Sequence, residues 1–147
     1  MNYAARGNAA TVYQDINTRS TVAEASPHRL IQMLLERALA RIAAACGHME
    51  RAEVAQKGAH ISGALAIIDG LQSALNLDAG GEIASNLGAL YDYMGRRLVE
   101  GNARDDISAL QEVAGLLREI KEAWDAIADH PAAKAGSQAE EPALAGA

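Results

Sequence analysis

His28, His48, His60 and His130 are the side chains of this chain best suited to bind a metal, move a proton or capture a phosphoryl group. A carboxylate-bridged metal site inside a helical bundle needs a Glu three residues before a His on one inward face. The residues at that offset are Ala25, Ala45, Lys57 and Ile127, so the ligand pair is missing. His60 reads as a half-buried surface residue. The single cysteine, Cys46, lies between Ala45 and Gly47 on an apolar face and reads as a packing residue. One cysteine cannot form an internal disulfide, which suits a reducing cytoplasm.

The run QKGAHISGA, residues 56–64, has the look of a phosphorelay histidine. In that signature the Lys and Gly follow the histidine, whereas Lys57 and Gly58 precede His60, which puts the amine on the wrong turn to meet a phosphoryl group. Gly80-Gly81 is followed by Glu82 instead of the Gly-Lys-Ser/Thr of a phosphate loop. No nucleophile has a neighbouring base at helical spacing. The sequence therefore predicts a protein that is not an enzyme and needs no cofactor or metal.

Two tyrosines remain to be explained. In GGEIASNLGALYDYMGRRL, residues 80–98, the apolar stripe falls at Ile83, Leu87, Leu90, Met94 and Leu98, and Tyr91 and Tyr93 stand beside it. With the inward direction taken between Leu87 and Leu90, each lies about 80° off the stripe, on opposite sides. A ring on such a seam seals the apolar interior while its hydroxyl reaches water or a partner's backbone.

The elements that must position these residues are helices. Half of the residues are apolar, yet Phe is absent and aromatics are only 3%, so a core must be built from Leu, Ile and Ala. Ala and Leu are strong helix formers, and no alternating β-branched run competes with them. The expected fold is all-α: an antiparallel up-down four-helix bundle with an irregular N-terminal segment and a disordered C-terminal tail. Residues 1–25 would form an arm, 26–128 the bundle and 129–147 the tail.

Ser26-Pro27 reads as a helix cap, and the first helix carries Ile31, Leu35, Ala38, Ile42, Ala45 and Met49 inward, with Leu30, Met33 and Leu34 as a shoulder. The second begins near Glu53 and carries Val54, Ile61, Leu65, Ile68 and Leu75 inward, with a shoulder of Ala64, Ile67, Leu71 and Ala74. The third spans about 81–100 and stops at Gly101-Asn102. The fourth is capped by Asp105 or Asp106 and places Leu110, Val113, Leu117, Ile120, Trp124 and Ile127 on one face. Glycines inside these helices, Gly58, Gly63 and Gly115 among them, each cost roughly 0.5–1 kcal/mol relative to Ala. Close helix packing and a surface kept bare for another backbone are the two readings of them.

A net charge of −6 without a basic tract argues against nucleic acid and anionic membrane as partners. No apolar block of signal-peptide type opens the chain, and charge interrupts every helical pattern, so neither general export nor membrane insertion is expected.

In this order the segments resemble the flagellin export chaperone family, FliS. The likeness is carried by ASPHRLIQML at 25–34, AQKGAHISGALAIIDGL at 55–71, GGEIASNLGALYDYMGRRL at 80–98 and EVAGLLREIKEAW at 112–124, and runs over roughly residues 10–128. The resemblance implies a cytoplasmic, ATP-independent chaperone that covers the C-terminal segment of flagellin, prevents premature polymerisation and assists delivery to the flagellar export gate. Joined to the apolar shoulders and seam tyrosines read above, it gives an expected flagellin-binding set of Tyr13, Ile16, Leu30, Met33, Leu34, Ala64, Ile67, Leu71, Tyr91 and Tyr93. Tyr13 falls on a tyrosine of the family's N-terminal pattern, with Ile16 beside it. Where the first helix reads MLLERAL, family members usually carry an additional aromatic. A generic helical adaptor or oligomerisation module, and a weak homodimer of the free protein, are the alternatives the residues leave open.

Overall fold

The computed structural model describes residues 26–128. Their fold is a bundle of helices α1 (Pro27–Glu50), α2 (Val54–Ser73), α3 (Leu77–Arg104) and α4 (Ile107–Ala126), with no strand among the described residues. Each helix packs on the next, and α4 closes back on α1. Cross-links set the up-down order. The Trp124 indole N–H donates to the His28 carbonyl at 2.9 Å, joining the end of α4 to the start of α1. Gln72 Nε2 donates to the Gly88 carbonyl at 3.2 Å, joining the end of α2 to the early turns of α3.

The caps explain where the helices begin. Ser26 Oγ accepts from the Arg29 amide at 3.1 Å, and Pro27 follows at a position where a missing N–H costs nothing. Asn76 Oδ1 accepts from the Ala79 amide at 3.1 Å, and Asp106 Oδ1 from the Ser108 amide at 3.0 Å. Glu53 precedes α2 without capping it. Its carboxylate is turned back to His48 Nδ1 at 2.7 Å and Arg51 Nε at 2.8 Å, which ties the α1–α2 turn together.

α3 departs from the sequence expectation at both ends. It starts at Leu77 instead of 81, because Asn76 supplies the cap and Gly81 is a break inside the element, with φ 54° and ψ −129°. That conformation is open to glycine and strained for other residues. It also runs through Gly101-Asn102 and ends at Asp105, which takes the left-handed conformation at φ 51°. Gly101 serves packing here: a Cβ on it would stand 2.6 Å from Leu110 Cδ1 and 3.1 Å from Ala109 Cβ. Its missing side chain lets α3 and α4 cross closely at their turn.

The core is the expected mixture of Leu, Ile and Ala. Leu35, Ile42, Ile61, Met94, Leu98, Leu110, Val113 and Leu117 are fully buried, and Ala38, Ala45 and Ala64 are small buried positions on α1 and α2 that permit close approach. Two expected inward residues are not inward. Val54 is 68% exposed and Ile83 57% exposed. Val54 opens α2 beyond the end of the packed stripe. Ile83 stands on the first turn after the break at Gly81, level with Ile127 at the end of α4, where no neighbouring helix closes over it.

A buried lysine fastens one corner of the bundle. Lys57 Nζ donates to the Asn102 carbonyl at 3.0 Å and to Asp105 Oδ1 at 2.5 Å, linking the first turn of α2 to the end of α3. Its buried ammonium is thereby paired and hydrogen-bonded, as burial of a charge requires.

Candidate functional site

No group of three or more His, Cys, Asp or Glu side chains among the described residues is placed to hold a metal ion. His48 and His60 do meet, with rings stacked at 5.1 Å, but their nitrogens face Glu53 and Arg41. His28 is buried against Trp124, rings 4.5 Å apart and nearly parallel, and its Nε2 has no hydrogen-bond partner. Burial holds the His28 pKa below its ordinary value, against an opposing pull from Asp125. The ring is therefore neutral near pH 7 and belongs to packing. No helix among the described residues is long and apolar enough to cross a membrane.

Two surfaces are shaped to receive something. The first is a groove of about 470 Å³ between the early half of α3 and the late half of α4, lined by Ile83, Asn86, Leu87, Leu90, Ile120, Ala123, Trp124 and Ile127. Apart from Asn86, it presents hydrocarbon and one indole. The second, about 580 Å³, lies between α2 and α3 and combines Leu65, Ile68, Tyr91, Gly95 and Val99 with charged residues along its rim. Apolar concavities of this size on a small domain are where a partner's side chains are taken up.

The two tyrosines divide between these sides, as their angles on α3 predict. Tyr91 is 3% exposed, packs in the core cluster and lines the α2–α3 groove. Burial pushes its hydroxyl pKa up to about 12. Tyr93 stays partly exposed, and its hydroxyl donates to Glu112 Oε2 on α4 at 2.6 Å. Arg97 Nε reaches Glu112 Oε1 at 2.8 Å, and its guanidinium also pairs with Glu100. Tyr93 thus closes the α3–α4 seam through a charge-assisted hydrogen bond, which holds the Glu112 pKa below its usual range.

Of the residues expected to contact flagellin, Tyr13 and Ile16 lie outside the described residues. Leu30 and Met33 are partly buried against the core. Leu34, Ala64, Ile67 and Leu71 are buried core residues, with Ile67 only 1% exposed, so the uncovered shoulder expected of them is corrected. The physical reason is that the buried face of α2 is wide. Ile61, Ala64, Ile67, Ile68 and Leu71 share it opposite exposed Ala55, Ala59, Ser62, Asp69 and Ser73, and the buried Lys57 on the same face blurs the apolar pattern. The α3–α4 groove was not anticipated as a site. Its signal was present in Ile83, Leu87, Leu90, Ile120 and Ile127, but two matching apolar stripes read as mutual core when helix lengths are unknown.

The described residues thus form a four-helix bundle that leaves apolar grooves between its helices. The family described as Flagellar protein FliS matches residues 9–131, and the chain belongs to that family. It is 49% identical over 115 residues to the flagellar secretion chaperone FliSB of Pseudomonas aeruginosa, covering 78% of this chain and 91% of that one. It is 46% identical over 126 residues to the flagellar secretion chaperone FliS of Salmonella typhimurium, covering 85% and 92%. The FliS of Bacillus subtilis, also a flagellar secretion chaperone, is 34% identical over 117 residues, covering 80% and 84%. The class of this protein is therefore that of a helical chaperone of flagellar biogenesis and export.

Proposed function

We propose that this protein is a cytoplasmic chaperone that binds the C-terminal segment of flagellin, keeps it from polymerising early and assists its delivery to the flagellar export gate. Kinship with flagellar secretion chaperones supports the class. The observation that supports the binding mode is the uncovered apolar groove between α3 and α4, with Ile83 at its edge. An amphipathic helix lays its apolar face into such a groove and removes its own sticky surface from water. That is the physical content of preventing assembly: the face a subunit would use on its neighbour is occupied. Ile83, Leu90 and Ile127 would supply the apolar contact, and Leu30, Met33 and Tyr93 are proposed as further contacts outside that groove. Tyr13 and Ile16 are proposed to join it from the N-terminal segment. Leu34, Ala64, Ile67, Leu71 and Tyr91 enter the flagellin contact only where binding loosens the core around them. Without cargo, the same groove is where two copies would pair weakly.

Co-purification with flagellin, with and without flagellin's C-terminal segment, tests the reading. A stable complex with the full subunit and none with the truncated one is the expected result. Equal capture of both would remove the C-terminal segment from the proposal, and capture of neither would remove flagellin.

A further inference from the structure

A hollow of about 30 Å³ lies beneath the α3–α4 groove, and side chains from all four helices reach it. Ile31 of α1, Leu71 of α2, Leu75 just past the end of α2 and Tyr91 of α3 form its inner walls. The remaining wall is Leu87, Ile120 and Trp124, three side chains that also line the groove. One layer of side chains therefore separates the two spaces.

That layer has a fixed part and a loose part. Trp124 is held, because its N–H donates to the His28 carbonyl at 2.9 Å and its ring stacks on the His28 ring. Leu87 and Ile120 are only partly buried and face the open groove on their outer side. Side chains so placed exchange rotamers readily, so the partition can part between them.

The hollow also lacks what water needs. A buried water is retained where two to four polar groups meet it, whereas this lining is aliphatic apart from Tyr91 and Trp124, and the indole N–H is already engaged. The lining atoms thus forgo contacts that an entering apolar group would restore. Size narrows the choice further. A benzene ring is taken up by a cavity of roughly 150 Å³, so a hollow of about 30 Å³ is too small for an aromatic side chain. A polar one would be desolvated with little to receive it. The branched end of an aliphatic side chain meets both conditions.

We propose that the flagellin segment in the α3–α4 groove is anchored by one Leu, Ile or Val side chain, which passes between Leu87 and Ile120 and fills the hollow against Ile31 and Leu71. The anchor rests on the flagellin reading of the groove and adds a register to it. An amphipathic helix can slide along an apolar seam, but one seated side chain fixes where it stops.

The experiment uses the full chain and flagellin, with the Ile, Leu and Val methyl groups of the two proteins labelled differently. In the complex, nuclear Overhauser contacts should join a flagellin methyl group to Ile31 and Leu71, which are 8% and 2% exposed in the free fold and out of reach of a helix that stays at the groove surface. Ala74→Val fills the hollow from within, since Ala74 lines it. The variant should melt at or above the parent temperature, as cavity filling does, and bind flagellin at least about tenfold more weakly. Contacts confined to Ile83, Leu90 and Ile127, or a native melt with unchanged affinity in the variant, would each overturn the anchor and leave flagellin in the groove. If the variant does not fold, the methyl contacts decide alone. Contacts to Ile31 and Leu71 from a second copy of the free protein would give the hollow to self-association and overturn the proposal. No complex with the parent protein would overturn the flagellin reading and the anchor together.

Discussion

The α1–α2 hairpin and the α3–α4 pair are built from the same residue types and treat them oppositely. α1 and α2 form the most extensive helix contact of the bundle, and α2 buries a broad face in it. α3 and α4 pack less extensively and leave an apolar groove between them. Alanine at 38, 45 and 64 draws the first pair together, whereas Leu87 and Leu90 face Ile120, Trp124 and Ile127 across a seam that stays open, with Ile83 exposed at its end. Hydrophobic residues in one half build stability and in the other half remain available to a partner.

Ile67→Glu probes the closed half and carries the largest expected effect. Ile67 is fully buried, so a carboxylate there is desolvated without a partner, at a cost of roughly 3 kcal/mol or more. Thermal melting followed by far-ultraviolet circular dichroism should show a collapsed transition, and a native melt would place Ile67 at the surface after all.

Gly101→Ala tests the close crossing of α3 and α4, where the added methyl meets Leu110 and Ala109. Overpacking of that kind costs about 1–3 kcal/mol. The counterpart is Gly115→Ala on α4, where a Cβ meets nothing within 4 Å and a gain of roughly 0.5–1 kcal/mol is expected from helix propensity. Denaturant midpoints that shift in the same direction for both variants would dissolve this distinction.

Acid should act on the histidines before the carboxylates. The unfolded chain takes up a proton near pH 6.5, whereas burial holds the His28 pKa lower in the fold. His60 is shifted the same way by burial, Arg41 and His48. Stability from both is therefore complete above about pH 6.5 and falls as pH drops below it. Glu112 and Asp125, whose pKa values are lowered mainly by hydrogen bonds from Tyr93 and Lys121, add a second loss below about pH 4.5. His28→Phe keeps a ring against Trp124 and should flatten the first decline. A melting temperature as sensitive between pH 6.5 and 5 in the variant as in the parent would remove His28 from that role.

The smallest effect on the fold is expected in the open half. Ile83→Glu should move stability by no more than about 0.5 kcal/mol, because the side chain is already mostly in water. It should nevertheless weaken flagellin binding by at least about tenfold, since a charge enters the apolar contact. Unaltered affinity would exclude the edge of this groove from the flagellin site.

Much of this architecture is legible in the sequence because local chemistry fixes it. Ser26-Pro27 and Asp106 announce helix starts through side-chain oxygens that stand within reach of first-turn amides. The strict stripe of α4 buries Leu110, Val113, Leu117 and Trp124 as its spacing requires. Legibility ends where the determinant is not local. Gly101 looks like a helix stop, but its purpose is contact with Leu110, nine residues on, which only the folded crossing reveals. Ile67 and Ile83 exchange their expected places for two different reasons. The first lies on a helix whose broad buried face also carries Lys57, and the second on the turn that follows the break at Gly81. The candidate site followed the fold in this respect: the grooves depend on relative helix lengths and rotations, which no single helix encodes.

Trp124 is the single tryptophan of the chain, and it stacks on His28 at the mouth of the groove between α3 and α4. The molecule consequently has a built-in optical reporter. Indole emission arises at one known place, shifts to the blue when a bound segment expels water from that mouth, and dims when the stacked imidazole gains a proton and becomes an efficient quencher. Occupancy of the groove and the protonation of His28 can thus be followed in the unlabelled protein, by colour for the one and by brightness for the other.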